Sequence, residues 1–389
     1  MTKVDIIDIE KSNIDELRSR LKGEMTPELF KDDNLFERFL RARGQNVDAA
    51  ELMLRNHLKW RQANTIETIQ TDYTPTEVLT KYSSLELLGF DKEGSPVIYC
   101  SFGNMDTRGI YKSGTRYDFL RYFVQLLEGH LEALKQHNLK VQLPKTGKSQ
   151  HQWVFIFDYD NFQLANATHK PTIDIVISFI NMYDANYPER LKSAYLINGS
   201  LIFQMCWNLI RHFLSGPTFQ KVTIFGRDGY GEVLRKSIDA DILPKFLGGN
   251  KTDPDGNPRC VQSIRFGGQV AESYYIQHRR LSVLPDSMHL VVGRLSKEEV
   301  QLQVIRPGTN IEWEFVLKSK DVDYYVVHRA HSQAEPKEVV YKQRVEAGFC
   351  SETGVYMCEK AGIYSLVFDN SYSWIYSKHI NYKFAIAES

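Results

Sequence analysis

The spacing of apolar residues changes character twice along the chain. Residues 1–75 carry apolar side chains at helical intervals, as at Phe36 and Leu40, and predict a helical N-terminal region. Between residues 76 and 260, short apolar runs typical of strands alternate with longer helical ones. Beyond about residue 275 apolar residues recur at every second position, with turn residues roughly every 8–12 positions. These patterns predict three different architectures in succession.

The central region indicates an α/β layer. Trp153–Phe157 is apolar on both faces, as buried central strands are, and Thr115–Asn138 has the length and spacing of a long helix. Strands interleaved with helices predict a largely parallel sheet. The alternating region that follows the turn-rich segment 253–258 predicts an antiparallel β-sandwich. We therefore expect three domains with these bounds: 1–75, 76–260 and 261–389.

The run Leu201–Leu214, LIFQMCWNLIRHFL, has more apolar surface than an ordinary surface helix requires. On a helix its four polar members fall on one stripe roughly 100° wide, which leaves about 260° apolar. These polar members are Gln204, Asn208, Arg211 and His212. An apolar surface of this extent requires a cover, which is more protein, a membrane or a bound lipid.

Composition excludes several classes of protein. The 48 basic residues equal the 48 acidic ones, so no overall positive field favours nucleic acid as a partner. The N-terminus has no apolar signal core, and no apolar stretch approaches the roughly 20 residues of a spanning helix. Five cysteines are scattered without a CxxC pair, namely Cys100, Cys206, Cys260, Cys350 and Cys358. We expect a cytoplasmic protein with reduced, buried cysteines and no nucleic-acid partner.

Residues that would perform catalysis form no complete set. Thr146–Ser149 resembles the end of a phosphate-binding loop but lacks the required upstream glycine and precedes a strand. Asp158 and Asp160 end a predicted strand without a neighbouring histidine. The spacing of His328 and His331 does not form one ligand face on a strand. We expect no catalytic residue, no metal and no enzyme; an α/β enzyme that uses Asp158 or Asp160 on a hydrophobic substrate is the alternative.

Polar residues near the apolar run suit a phosphate group. Thr218 and Lys221 place a hydroxyl donor and a cation three residues apart. Arg38, Arg41 and Arg43 cluster near the end of an early helix, although these could equally be ordinary surface charges. An apolar lid with a phosphate clamp at its edge suggests a phospholipid site.

Several motifs together resemble those of the CRAL-TRIO lipid-transfer family. Three of them are FLRAR, YPER and LPKFLGG, which are Phe39–Arg43, Tyr187–Arg190 and Leu243–Gly249. The linker TDPDGNP and the later AGIYSLVFDN resemble family members that end in a GOLD domain. The resemblance runs from about residue 30 to the C-terminus. It implies a CRAL-TRIO α/β lipid-binding domain, preceded by a helical region and followed by a GOLD-like antiparallel β-sandwich.

The resemblance also implies roles for individual residues. Leu201–Leu214 takes the part of a mobile gate over the lipid acyl chains. The residues that match the family's headgroup contacts are Arg43, Glu189, Thr218 and Lys221. The family prototype has lysine directly after the matching arginine, whereas this chain has Gly44, which weakens phosphoinositide binding. Members with the GOLD tail imply tocopherol or squalene instead, and these ligands need no phosphate clamp.

The predicted function is binding and transfer of one lipid of the phosphatidylinositol, tocopherol or squalene class, with transient membrane contact and no cofactor besides that lipid. The expected lipid cavity and gate residues are Phe155, Phe157, Phe179, Tyr183, Phe203, Cys206, Ile210 and Phe213. Each of them could instead be an ordinary core residue. The alternative function is a nonenzymatic lipid-sensing adaptor whose GOLD-like domain recruits a protein or membrane partner.

Overall fold

Six helices form the N-terminal part of the computed structural model, which describes residues 3–114, 116–275, 287–318, 321–345, 347 and 351–386. The helices are α1 (Lys3–Arg20), α2 (Pro27–Phe30), α3 (Asp33–Ala42), α4 (Val47–Ala63), α5 (Ile69–Asp72) and α6 (Glu77–Tyr82). Side chains at the helix starts fix the boundaries, since Asn46 accepts a hydrogen bond from the backbone N–H of Ala49 at 2.9 Å. Leu17, Phe36 and Leu40 are fully buried in a small core of their own. The predicted helical N-terminal region is confirmed.

A five-stranded sheet forms the centre of the molecule. Its strands are β1 (Glu86–Phe90), β2 (Pro96–Cys100), β3 (Trp153–Asp158), β4 (Leu191–Ile197) and β5 (Val222–Ile224). They lie side by side in chain order; β1 is antiparallel to β2, and all the other neighbours are parallel. The central strand β3 is buried on both faces, as its unbroken apolar pattern predicts.

Helices cover both faces of this sheet. They are α7 (Thr107–Ser113), α8 (Arg116–His137), α9 (Leu143–Thr146), α10 (Leu164–Ala167), α11 (Lys170–Asn186), α12 (Leu201–Ile210), α13 (Gly216–Gln220) and α14 (Tyr230–Ser237). Phe155 of β3 joins a core with α8 and α11, whereas its neighbours Val154 and Ile156 face a second core with α14. The alternation of strand side chains thus gives the layer two separate cores.

The apolar run that begins at Leu201 forms a shorter helix than its pattern predicts. α12 ends at Ile210, and one 3-10 turn, Arg211–Phe213, leads to an extended residue, Leu214. Ser215 then caps α13, in which Pro217 occupies the first turn. Within the described residues, no helix is both long enough and apolar enough to cross a membrane.

An antiparallel β-sandwich follows, as predicted. Its strands are β6 (Met288–Val292), β7 (Lys297–Val304), β8 (Asn310–Leu317), β9 (Val322–Arg329), β10 (Lys337–Val345), β11 (Glu352–Met357), β12 (Gly362–Asp369) and β13 (Lys378–Ile386). One sheet has the order β10-β9-β12-β7 and the other the order β11-β8-β13-β6. Phe315, Tyr324 and Phe368 pack between the two sheets in the core that the alternating residues build.

The segment that leads to the sandwich packs against the α/β layer. Ile264 and Val270 are buried in the cores on either face of the central sheet. The backbone N–H of Gly268 donates to the carbonyl of Asn104 at 2.9 Å. We therefore propose that the boundary between the second and third domains lies beyond Tyr275 rather than at residue 260.

Candidate functional site

An apolar cavity of about 200 Å³ lies between the central sheet, α11 and α12. A single buried water needs roughly 10–15 Å³, so this space is more than ten times larger than a water site requires. Phenylalanines from four different elements contribute to its wall, among them Phe119, Phe155, Phe179 and Phe203. A large cavity with an apolar wall favours an apolar ligand over water.

Seven of the eight residues predicted for the cavity do line it. They are Phe155, Phe157, Phe179, Tyr183, Phe203, Cys206 and Ile210. Phe213 is not among the residues that line it, and its side chain is 44% exposed. The helix ends at Ile210, and Phe213 lies in the 3-10 turn that follows it.

Helix α12 is apolar on two opposite faces. Phe203 and Cys206 are buried on the inner face and line the cavity. Leu201, Met205 and Leu209 recur at every fourth position, and 58–78% of each is exposed to solvent. The excess apolar surface that the sequence indicates is therefore an exposed stripe, opposite a face that closes the cavity.

Contacts on the inner face hold α12 against the domain. The rings of Phe203 and Tyr159 lie 4.3 Å apart between centroids, and Trp207 stacks on Phe219 at 6.2 Å. The thiol of Cys206 donates to the carbonyl of Ala167 at 3.4 Å. These are mainly dispersion contacts, which a lipid chain in the cavity could replace or extend.

Polar contacts fix the segment that follows α12. Asp184 of α11 accepts a hydrogen bond from the Thr218 hydroxyl at 3.1 Å and another from the Ser215 backbone N–H at 3.2 Å. The Ser215 hydroxyl donates in turn to the Thr218 oxygen at 2.8 Å. Asp184 and Thr218 both line the cavity, so this polar group forms one edge of it. We call Asp184, Ser215 and Thr218 the latch.

The structure brings together only part of the predicted headgroup set. The Lys221 ammonium lies 3.3 Å from a carboxylate oxygen of Glu189, and both side chains are about one-quarter exposed. Thr218 lies three residues before Lys221 in the chain, but its hydroxyl belongs to the latch. Arg43 is exposed at the end of α3, in the wall of a different cleft of about 740 Å³ that α4, α11 and the sandwich border. Among the described contacts, none joins Arg43 to the other three residues.

A neighbouring arginine lies closer to the Glu189 segment. The buried Arg38 donates to the carbonyl of Pro188 at 3.2 Å and to the Asn34 side chain at 3.0 Å. Burial lowers the pKa of the Arg38 guanidinium. Gly44 has a φ of +59° just after α3, a conformation that lysine adopts only with strain. Glycine therefore suits this left-handed position after α3.

The cavity wall contains a polar group, the Thr107 hydroxyl, that the sequence patterns do not indicate. The hydroxyl of Thr107 is buried and has no hydrogen-bond partner among the described residues. Asn166 and Thr172 also line the cavity, but the Asn166 amide donates to Met105 and the Thr172 hydroxyl pairs with His169. Thr107 is the first residue of α7, and only the capping residue Asp106 before it signals this position. Its hydroxyl can bond to a polar atom of a ligand.

The Asp158 carboxylate, which was considered for catalysis, accepts several structural hydrogen bonds. Asp158 accepts hydrogen bonds from the Tyr99 hydroxyl at 2.8 Å, the Asn198 amide at 2.8 Å and the Asp160 backbone N–H at 2.9 Å. It thereby joins the ends of three strands. Among the described residues, no group of three or more potential metal ligands occurs, and the four described cysteines are buried and free. Cys350 lies outside the described residues.

The α/β layer, which contains the cavity, matches a known domain family. Residues 81–249 match the model of the CRAL/TRIO domain. The α/β layer is therefore similar to CRAL/TRIO domains. CRAL/TRIO proteins bind lipids rather than cofactors, which agrees with the apolar wall of the cavity and with its position inside the matched residues.

Two relatives extend this comparison. Protein ctg-1 of Caenorhabditis elegans is 26% identical over 389 residues, which cover 98% of this chain and 97% of that protein. The crystal structure of Sfh5 superposes with a TM-score of 0.53 at 17% identity and covers 72% of this chain and 98% of its own. At this identity the likeness to Sfh5 supports the CRAL/TRIO fold alone.

Proposed function

We propose that this protein holds one lipid in the cavity beneath α12 and transfers it between membranes. The observation that supports this most is the pair of apolar faces on α12, one in the cavity wall and one in solvent. Each buried CH₂ of a lipid chain contributes about 0.8 kcal/mol, so a lipid leaves a bilayer only for an equivalent apolar space. The cavity supplies that space.

Exchange is a movement of α12 between two positions. In the closed position Phe203 and Cys206 cover the cavity and the latch holds the following segment. At a membrane, the exposed stripe of Leu201, Met205 and Leu209 lies in the lipid interface, as amphipathic interfacial helices do. The bilayer thereby stabilises the open position, and the equilibrium shifts towards release or uptake of lipid.

The preferred ligand is a hydrophobic lipid with one small polar group, for which tocopherol is the model. An apolar chain fits the phenylalanine-rich wall, and a single hydroxyl satisfies Thr107. Squalene has no such group. Phosphatidylinositol would have to separate the ion pair between Lys221 and Glu189 and would gain no contact from Arg43.

We propose further that the protein is cytoplasmic and nonenzymatic and that it touches membranes transiently through α12. The sandwich is GOLD-like and serves as a contact module. The buried bonding of Asp158 supports the absence of catalysis at that carboxylate.

Native mass spectrometry of the purified full chain, followed by lipid extraction, tests the ligand. We expect one bound lipid per chain, with the mass of a tocopherol-class molecule. A vesicle-to-vesicle transfer assay then tests the activity. A chain that purifies and reconstitutes without any lipid would overturn the proposal, whereas one retained lipid without exchange would favour the adaptor function.

A further inference from the structure

Four large apolar side chains are exposed together at one end of the sandwich. Trp374 is 77% exposed and Ile375 is 71% exposed, and Tyr376 and Leu295 are also exposed. They belong to the turn between β6 and β7 and to the loop between β12 and β13, which meet where the Leu295 backbone N–H donates to the carbonyl of Ser373 at 3.2 Å. We call these four residues the aromatic tip.

Buried hydrogen bonds hold together the two loops that carry the aromatic tip. Asn370 is completely buried, and its side-chain amide donates to the carbonyl of Gly293 at 2.8 Å and to that of Tyr376 at 2.9 Å. One buried side chain thus joins both loops. Leu295 has a φ of +55°, a left-handed conformation that is uncommon for a bulky residue and is maintained only when the surroundings impose it. The exposure of the tip is therefore built into the fold.

The chemistry of the aromatic tip suits a lipid surface. Tryptophan and tyrosine are enriched where proteins meet the membrane interface, and isoleucine and leucine add apolar surface that enters the acyl boundary. The segments 293–296 and 370–377 contain one cation, the exposed Arg294, and no acidic residue. Apolar side chains beside a lone cation complement an anionic bilayer.

We propose that the aromatic tip inserts into the interface of an anionic bilayer and gives the sandwich its own membrane contact. This contact is separate from the exposed stripe of α12 and requires no lipid in the cavity. A second attachment point keeps the chain at the membrane while α12 opens, so it lengthens each encounter without taking part in lipid binding.

Vesicle sedimentation of the full chain tests this contact, with the double variant Trp374→Ser/Ile375→Ser. With vesicles of phosphatidylcholine and phosphatidylserine, we expect roughly tenfold weaker binding, because two large apolar groups no longer leave water. The matched control is Ile305→Ser, at the opposite end of the sandwich and equally exposed, which should bind as the unaltered chain does. Thermal unfolding at the same temperature in all three proteins verifies the fold.

Further measurements distinguish a lipid surface from a protein partner. Brominated lipids should quench the fluorescence of the unaltered chain more than that of Trp374→Phe, and Arg294→Gln should weaken binding only to vesicles that contain phosphatidylserine. Unchanged vesicle binding by the double variant would overturn the proposal, and this is also the result expected if the tip docks on a protein. An equal loss of vesicle binding in Ile305→Ser would overturn it as well. Lipid retention in the cavity should be the same in every variant, so this contact can fail without the proposed lipid binding failing.

Discussion

Asp184 and Thr218 join α11 to the segment that follows α12, through a hydrogen bond of 3.1 Å from hydroxyl to carboxylate. The same carboxylate accepts from the Ser215 backbone, so one side chain holds the end of the closed segment. Hydrogen bonds to a charged group each contribute about 1.5–3 kcal/mol, and less when partly exposed. If α12 opens as we propose, we expect the latch to set the equilibrium between its closed and open positions.

Asp184→Ala removes both hydrogen bonds that Asp184 accepts in the latch. We expect α12 to open about tenfold more often, because a loss of roughly 1.4 kcal/mol corresponds to that factor. The bound lipid should dissociate faster, as a stopped-flow assay with a fluorescent lipid can measure. Thr218→Val removes the Thr218 bonds to Asp184 and from the Ser215 hydroxyl but keeps the bond from the Ser215 backbone to Asp184, so it should give a smaller effect. Unaltered dissociation in Asp184→Ala would show that the latch does not control opening.

Substitutions on the two faces of α12 should separate lipid binding from membrane contact. Ile210→Asp places a charge in the cavity wall and should abolish lipid retention. Leu209→Asp places it on the exposed stripe, so the lipid should be retained while vesicle transfer is lost. Native mass spectrometry and the transfer assay measure the two properties. Val261→Asp, exposed elsewhere in the domain, is the control, and circular dichroism should be the same throughout.

Thr107→Val keeps the shape of the side chain and removes the unpaired hydroxyl. Without ligand, the free energy of unfolding should rise by about 1 kcal/mol, because a buried polar group without a partner is lost. Retention of tocopherol should fall about fivefold to tenfold, because its hydroxyl loses a hydrogen bond, whereas retention of squalene should not change. An equal decrease for both lipids would contradict a bond to Thr107.

Lys221→Met tests which predicted headgroup residues matter. If phosphatidylinositol enters the cavity, its retention should decrease several-fold while that of tocopherol stays constant, because only the phosphate needs the cation. Arg43→Met is the matched control and should have no effect, since Arg43 lies in the wall of a separate cleft. A larger effect at Arg43 than at Lys221 would favour the family's headgroup arrangement over the contacts described.

Buried histidines should make the domain sensitive to acid. Burial lowers the pKa of His130 to about 4, well below the value of about 6.5 in an unfolded chain. The unfolded state therefore binds the proton first, so stability is complete above about pH 6.5 and decreases down to about pH 4. Urea unfolding at several pH values in this range gives the free energy of unfolding as a function of pH. The slope of that free energy against pH should be smaller in His130→Gln than in the unaltered chain, by up to about 1.4 kcal/mol per pH unit. An identical slope in both proteins would contradict this assignment.

How well the spacing of apolar residues predicts an element depends on which interactions form and end that element. Strand β3 and helix α8 depend on burial within each element, and their apolar spacing predicts them within a few residues. The end of α12 at Ile210 depends on Ser215 and Pro217 starting a new helix, so an apolar pattern alone extends it to Leu214. Phe213 lies in the 3-10 turn beyond that end.

The sequence by itself determined the order of the three architectures and the surplus of apolar surface in Leu201–Leu214, because both depend on the spacing of side chains along the chain. Only the tertiary structure decided that this surplus divides into a cavity face and an exposed stripe. It also separated Arg43 from Lys221 and exposed Thr107 to the cavity without a partner. The physical reason is that hydrogen-bond partners and cavity walls come from residues distant in the chain, whose approach no local spacing records.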